Sequence, residues 1–370
     1  RVGKWTILVF LNAANDLYNF STLNMNQLER VAQNQDVRFV VQWKQTTDVY
    51  PNSSFDGTRR YLVEPDTTSA IASRLIQDLG KTVDMGIPQS LRQFIEWGKQ
   101  YYPADRYGLI IWNHGNGWRR TADRATGPLA ASYDDSTGNA IQIWELGTAL
   151  GTQEFEFLAW DCSLMQMMEV AYEVKTNAKY IVCSEESPPG EGYPYDLIFA
   201  PLRDAPDVAT EQFTKSFVDG MLAVPGYASR KITQSVLDSS KLVTLAQAIN
   251  GLAVELEANW PSMTGTIQAV RDQSQAYSQS AIRYYRDLQD ICSRLIAANP
   301  PPTVAAACQQ VLSAIDDAVV WEGHNANSPG SRGVAIDFSP GSVFVGAAAD
   351  YGRLKFAADT RWDQWLTVSP

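Results

Sequence analysis

Short apolar runs alternate with helically spaced stripes through roughly the first half of the chain. Trp5 to Leu11 is a continuous apolar run of strand length, the pattern of a strand covered on both faces. Ser21 is placed to cap a helix carrying Leu23, Leu28 and Val31, and Val37 to Trp43 reads as the next strand. Asn52 to Gly57 is rich in turn formers, so Thr58 to Val63 is expected to return antiparallel. Pro88 opens a helix with Leu91, Phe94, Ile95 and Trp97, feeding the strand Tyr107 to Trp112. Ile143 to Leu150 predicts a short helix before the strand Phe155 to Trp160. Leu164 to Val174 predicts a helix after that strand, and Lys179 to Ser184 another strand. Repeated β–α–β units imply an α/β fold with a mainly parallel sheet and right-handed crossovers.

Past about residue 205 the pattern changes. Val208–Leu222, Lys241–Asn259, Ser278–Ala298 and Val304–Val320 are long, rich in Ala and Leu, and helically periodic. Ile232–Val236 and Val334–Phe338 are the later strands. The expected organisation is an α/β core over residues 1–205 and a helix-rich portion, 206–370, packed on it.

Two of the strands run into reactive residues. Tyr107–Trp112 ends in Asn113-His114-Gly115, and Phe155–Trp160 ends in Asp161-Cys162-Ser163. Open parallel sheets place their sites where neighbouring strands end, so an imidazole and a thiol beside a hydroxyl are expected in one crevice. That combination points to nucleophilic catalysis, with backbone N–H groups holding the oxyanion. A nucleophile at a strand-to-helix junction would gain from the positive helix end. A single loop His or a single Cys after a strand usually has no chemical task; the pairing carries the signal.

Composition narrows the picture. The 370 residues carry a formal net charge of −11, which argues against nucleic acid, since phosphate binding needs a basic footprint. No apolar run is long enough to span a membrane. The chain opens at Arg1 without Met, as a trimmed or mature form would, so an export signal upstream is conceivable. Cys162, Cys183, Cys292 and Cys308 contain no CxxC pair, so no zinc site is expected. Cys292 and Cys308 lie on neighbouring predicted helices and suit either a disulfide or two buried thiols. His114 and His324 are the only histidines.

The words around the two strand ends carry more. Met85-Gly86-Ile87-Pro88, Leu91 to Trp97, Leu109 to Trp118, Asp134-Asp135 followed by Glu145-Leu146, Ser184-Glu185-Glu186 and Pro189 to Tyr195 resemble the clostripain-like cysteine peptidases, of the caspase, legumain and gingipain clan. The likeness runs from Trp5 to about Phe199 and recurs at Tyr285–Leu288 and Ser331–Ile336. It implies a caspase-like fold, with His114 as the catalytic histidine. The family reads Asp, a small residue, Cys, Leu, Met, three variable positions, then Glu-Val-Ala-Tyr. Here Asp161-Cys162-Ser163-Leu164-Met165 and Glu169-Val170-Ala171-Tyr172 match without a gap, so the nucleophile position falls on Ser163 and Cys162 takes the small-residue position.

Three readings follow: a Cys-to-Ser replacement that traps an inactive form, a natural pseudopeptidase that keeps the cleft, or a site in which Cys162 or Ser163 still acts. Activity through Cys162 is expected least, because its side chain would point away from that of Ser163. A thiol ionises with modest help, whereas a hydroxyl needs a base within hydrogen-bond reach.

The resemblance further implies cleavage after Arg or Lys. Asp161 matches the family's acidic residue beside the nucleophile and is a candidate partner for that cation; it is also suited to cap the following helix, and both roles can hold at once. Glu185 and Glu186 are candidates for the same pocket or for a solvated acidic loop. Some relatives need calcium, and Asp134-Asp135 would be candidate ligands, although two carboxylates are not a calcium site; no other cofactor is implied. The polar stretch from Gly115 to Ser132 reads as an exposed loop, and its Arg119, Arg120 and Arg124 suit the family's activation by self-cleavage. The expected partner is a peptide or protein with basic residues, the expected state a monomer, and the expected setting export from a bacterium. The rival reading is a non-catalytic protein that holds basic peptides. A serine mechanism lacks an acidic residue placed by sequence to orient His114.

Overall fold

The computed structural model describes residues 2–120 and 131–370. In chain order the strands are β1 (Gly3–Asn12), β2 (Val37–Gln45), β3 (Gly57–Leu62), β4 (Arg74–Gly80), β5 (Ala104–Trp112), β6 (Ala131–Asp134), β7 (Asn139–Ile141), β8 (Phe155–Asp161), β9 (Ala178–Cys183), β10 (Thr233–Asp238), β11 (Tyr285–Asp287), β12 (Val319–His324) and β13 (Ala335–Asp337). Nine of them form one sheet in the order β12-β10-β9-β8-β5-β1-β2-β3-β4, with β6–β7 and β11–β13 as separate pairs. The central run β9-β8-β5-β1-β2 is parallel, and both flanks are antiparallel.

Helices cover both faces of this α/β sheet. α1 (Tyr18–Val31) crosses over between β1 and β2, and α2 (Pro88–Tyr101) leads into β5. Then come α3 (Leu146–Leu150), α4 (Met168–Glu173), α5 (Tyr195–Asp204), α6 (Thr210–Ala223), α7 (Leu242–Gln273), α8 (Leu288–Ala297) and α9 (Pro302–Ala318). The side chains of β1 alternate between two cores. Ile7, Val9 and Leu11 pack with α1, α5 and α6, while Leu8 and Phe10 pack with α2, α7, α8 and α9. This is why the strand is apolar without a break from Ile7 to Leu11: each face must be buried, at roughly 1.5–3 kcal/mol per large apolar side chain. The helix-rich portion is part of the same construction, because β10 and β12 extend the sheet beyond β9.

Several predicted elements differ. The helix expected from Leu164 begins only at Met168. Leu164 has φ +64°, and residues 164–166 run along the exit of β9, Leu164 N–H donating to Glu186 O at 3.4 Å and Gln166 N–H to Ser184 O at 3.1 Å. Tertiary pairing thus overrides the helical periodicity. Ser278–Ala298 divides into β11 and α8, and Val319–Val320 are strand β12 instead of the end of α9. β4, an exposed edge strand, and β6 and β7 carry too little apolar pattern to be read from sequence. Among the described residues no helix is long and apolar enough to cross a membrane.

Candidate active site

The parallel register sets Leu11 of β1 beside Trp112 of β5, and Trp112 beside Asp161 of β8. Three strands therefore leave the sheet side by side at their C-terminal ends, where such sheets hold their sites. Asn113 N–H carries the ladder one step further, to Asp161 O at 3.2 Å. The Asn113 amide donates to Asn12 O (2.9 Å) and Tyr133 O (3.1 Å), and its Oδ1 accepts from Tyr133 N–H (2.7 Å). Asn15 donates to the same two carbonyls, at 2.9 and 3.3 Å. Two buried amides thus lock the exits of β1 and β5 to the β6–β7 hairpin. A further lock is Gly115: a Cβ there would overlap the Ser163 carbonyl oxygen and crowd Cys162, so the loops bearing His114 and Ser163 pack backbone against backbone.

His114 is partly exposed, and its Nε2 lies 2.5 Å from Asp16 Oδ1. The hydrogen bond from His114 holds the Asp16 carboxyl below the usual carboxylate range, against an opposing effect of burial. Nearby, Tyr50 O–H donates to Asp135, whose carboxyl burial raises. Asp135 N–H donates to Ala14 O at 2.7 Å, fastening the segment that carries Asp16.

At the end of β8, Cys162 and Ser163 go separate ways. The Cys162 thiol is buried and donates to Ile111 O at 3.4 Å; burial pushes it far above the usual thiol range. A buried thiol whose ionisation is disfavoured is a poor nucleophile, so the structure speaks against Cys162 as a catalytic candidate. Ser163 is partly exposed, and among the described residues its hydroxyl makes no hydrogen bond, to His114 or to any other group.

Asp161 caps no helix. Its carboxyl accepts from Tyr195 O–H (2.7 Å) and from Tyr193 N–H (3.2 Å). Burial raises it to about 7, against the lowering effect of those two donors. Gly192, at φ +65°, passes so near that a Cβ would lie 2.5 Å from Asp161 Oδ1. Only glycine suits that backbone and that approach. The loop then enters α5, anchored by Phe199 against Phe213 and Phe217 at 5.3 and 5.7 Å.

The family model described as the clostripain family matches residues 9–366. The chain belongs to the clostripain family. Clostripain of Hathewaya histolytica is 27% identical over 241 residues, covering 55% of this chain and 45% of its own length. The chain thus spans about half the length of that relative. A C11 protease from Parabacteroides distasonis, solved as an inactive zymogen, superposes with a TM-score of 0.73 at 18% identity, over 97% of this chain and 99% of its own. A secreted C11 cysteine protease from Bacteroides thetaiotaomicron, iotapain, gives 0.69 at 16% identity over 100% of both chains. These likenesses bear on the fold, which is the caspase-like α/β architecture expected above.

Most of the other residues singled out from the sequence are engaged within the fold. Glu185 and Glu186 are both buried, so they do not form a solvated acidic loop. Glu185 is buried, accepts from Gly333 N–H at 2.8 Å, and is pushed far above the carboxylate range by burial and by Asp287 beside it. Glu186 is buried and accepts from Ser187 N–H at 2.7 Å and from the Ser278 hydroxyl. Asp134 and Asp135 do not fit a calcium ion: Lys44 Nζ sits 2.6 Å from Asp134 Oδ2, Met85 N–H adds a second donor at 3.0 Å, and Tyr50 occupies Asp135. Arg119 is buried against Ile282 O and Val343 O and is no exposed loop residue. Arg120 is half-exposed, 3.3 Å from Asp350, and Arg124 lies outside the described residues. Cys292 and Cys308 are buried free thiols in hydrogen-bond contact. Asp16, by contrast, escaped the sequence reading. The same strand-exit rule, applied to β1 as well as to β5 and β8, points to it.

Proposed function

We propose that this chain is a clostripain-type endopeptidase scaffold for peptides with Arg or Lys, with His114 as base, position 163 as nucleophile and turnover suppressed by the serine there. The observation that carries the reading is the packing of the His114 loop on the Ser163 backbone at adjacent strand exits. Among the described residues the Ser163 hydroxyl has no base as hydrogen-bond partner, which supports suppressed turnover, because a hydroxyl must lose its proton during attack. With cysteine at 163, the thiolate adds to the scissile carbonyl carbon and the C–N bond breaks. The leaving amine takes a proton from His114, and water then hydrolyses the thioester, restoring the thiol.

Asp161 is the cation-recognition residue of this proposal. Its carboxyl is held by Tyr193 and Tyr195 beside the strand exit, and an arriving guanidinium or ammonium would favour its ionised form. Glu185 and Glu186 have no part in that pocket, and Cys162 no part in the chemistry. Export belongs to the proposal as well, since two of the structural relatives are described as secreted.

A fluorogenic Arg or Lys peptide assayed on the parent and on Ser163→Cys tests this. Turnover appearing only in the variant supports it. Turnover already present in the parent and lost in Ser163→Ala contradicts it. Basic-peptide binding by both forms with no turnover in either favours a non-catalytic binder.

A further inference from the structure

We propose that Asp16 is a positioning residue for this site: it holds the His114 ring through Nε2–H and leaves Nδ1 as the nitrogen that exchanges protons at position 163. The inference rests on the reading of His114 as the base.

An ionised carboxylate can only accept, so a 2.5 Å contact between Asp16 Oδ1 and His114 Nε2 puts the hydrogen on Nε2. Asp16 is ionised for two reasons besides the imidazole. Its side chain is 69% exposed, and it lies just before α1, a helix of 14 residues whose positive N-terminal end favours a negative charge. Asp135, the competing carboxylate, is engaged by Tyr50 O–H and partly buried, so it does not take the ring.

An exposed ion pair is usually incidental, because two mobile side chains lose entropy to meet. Here the backbones are fixed first. The Asn15 and Asn113 amides, each adjacent in sequence to one partner, are 1% and 3% exposed and bind the same carbonyls of Asn12 and Tyr133. Asp16 and His114 are therefore presented to each other by a common buried frame. The order of roles, acid to imidazole to nucleophile, is the one that fixes tautomer and orientation in acid–His–nucleophile sites generally. Asp16 touches no substrate; it acts through the ring.

The test has two readouts. In the parent chain, proton NMR at low temperature should show a downfield ring N–H from His114, assigned by its survival in His324→Gln. The signal should vanish in Asp16→Ala and return in Asp16→Glu. In the Ser163→Cys background, Asp16→Ala should lower kcat by about 10- to 100-fold with little change in KM, less than for a fully buried acid because Asp16 is exposed. Asp16→Glu should restore part of it. A ring N–H absent from the parent or persisting in Asp16→Ala overturns the inference, as does a kcat unchanged by Asp16→Ala. If Ser163→Cys shows no turnover at all, the peptidase reading fails, and the NMR signal alone decides whether Asp16 holds the ring.

Discussion

Lys44 offers the sharpest test of how the site is framed. It extends from β2 with 2% side-chain exposure, its ammonium 2.6 Å from Asp134 Oδ2, and donates also to Val83 O (2.6 Å) and Ser136 Oγ (2.9 Å). Asp134 is wholly buried at the end of β6. Lys44→Ala removes the cation and leaves that carboxylate in an apolar setting with only Met85 N–H and Ser136 as donors. Breaking a buried pair from one side costs about 3–5 kcal/mol, mostly the uncompensated charge. With an unfolding entropy of about 2.1 cal/mol/K per residue, a chain of this length loses roughly 4–6 °C in Tm. Thermal and urea melts of the two proteins measure this. The hairpin also carries Tyr133, which Asn113 binds, so basic-peptide binding should weaken in the variant. A stability loss under about 1 kcal/mol would refute the reasoning, since it would mean that water reaches Asp134 and the pair is no frame.

Two other outcomes follow from the buried groups. Burial raises Asp287 to about 6, Asp161 to about 7 and Glu169 to about 8, while unfolded carboxyls release their protons near pH 4. Between those limits the native state binds more protons than the unfolded one, so stability should fall as pH rises from about 4 to 8. Urea midpoints at the two ends measure it, and a protein more stable at pH 8 would contradict the burial of these acids. Cys162→Ala in the Ser163→Cys background should leave turnover within about threefold, because the Cys162 thiol faces Ile111 O and stays protonated; loss of turnover would return Cys162 to the mechanism.

The legible part of the fold was the part with two-sided burial. β1, β2, β5, β8 and β9 each carry a buried apolar run, and each was readable from that run. β12 was hidden because Val319-Val320 continues the apolar pattern of α9 without a break. The helix expected at Leu164 was lost to a backbone that exchanges hydrogen bonds with the exit of β9, a contact no local pattern reports. The placement of His114 and Ser163 at adjacent strand exits was legible from strand ends and flanking words. The direction of a side chain was not. Glu185 turns inward to Gly333, 148 residues away, and Asp134 turns to Lys44, 90 residues away, so both acids were read as available when they are already engaged.

In the proposed mechanism position 163, served by His114, is the reactive position of this clostripain-family chain. Intact-mass and peptide-mapping analysis of the Ser163→Cys protein, treated with an Arg-bearing peptide inhibitor that alkylates catalytic thiols, tests it most directly. One adduct per chain is expected, located on residue 163, absent from the parent and strongly reduced in Ser163→Cys/His114→Ala. An adduct on Cys162, or one formed equally in the parent, would contradict it.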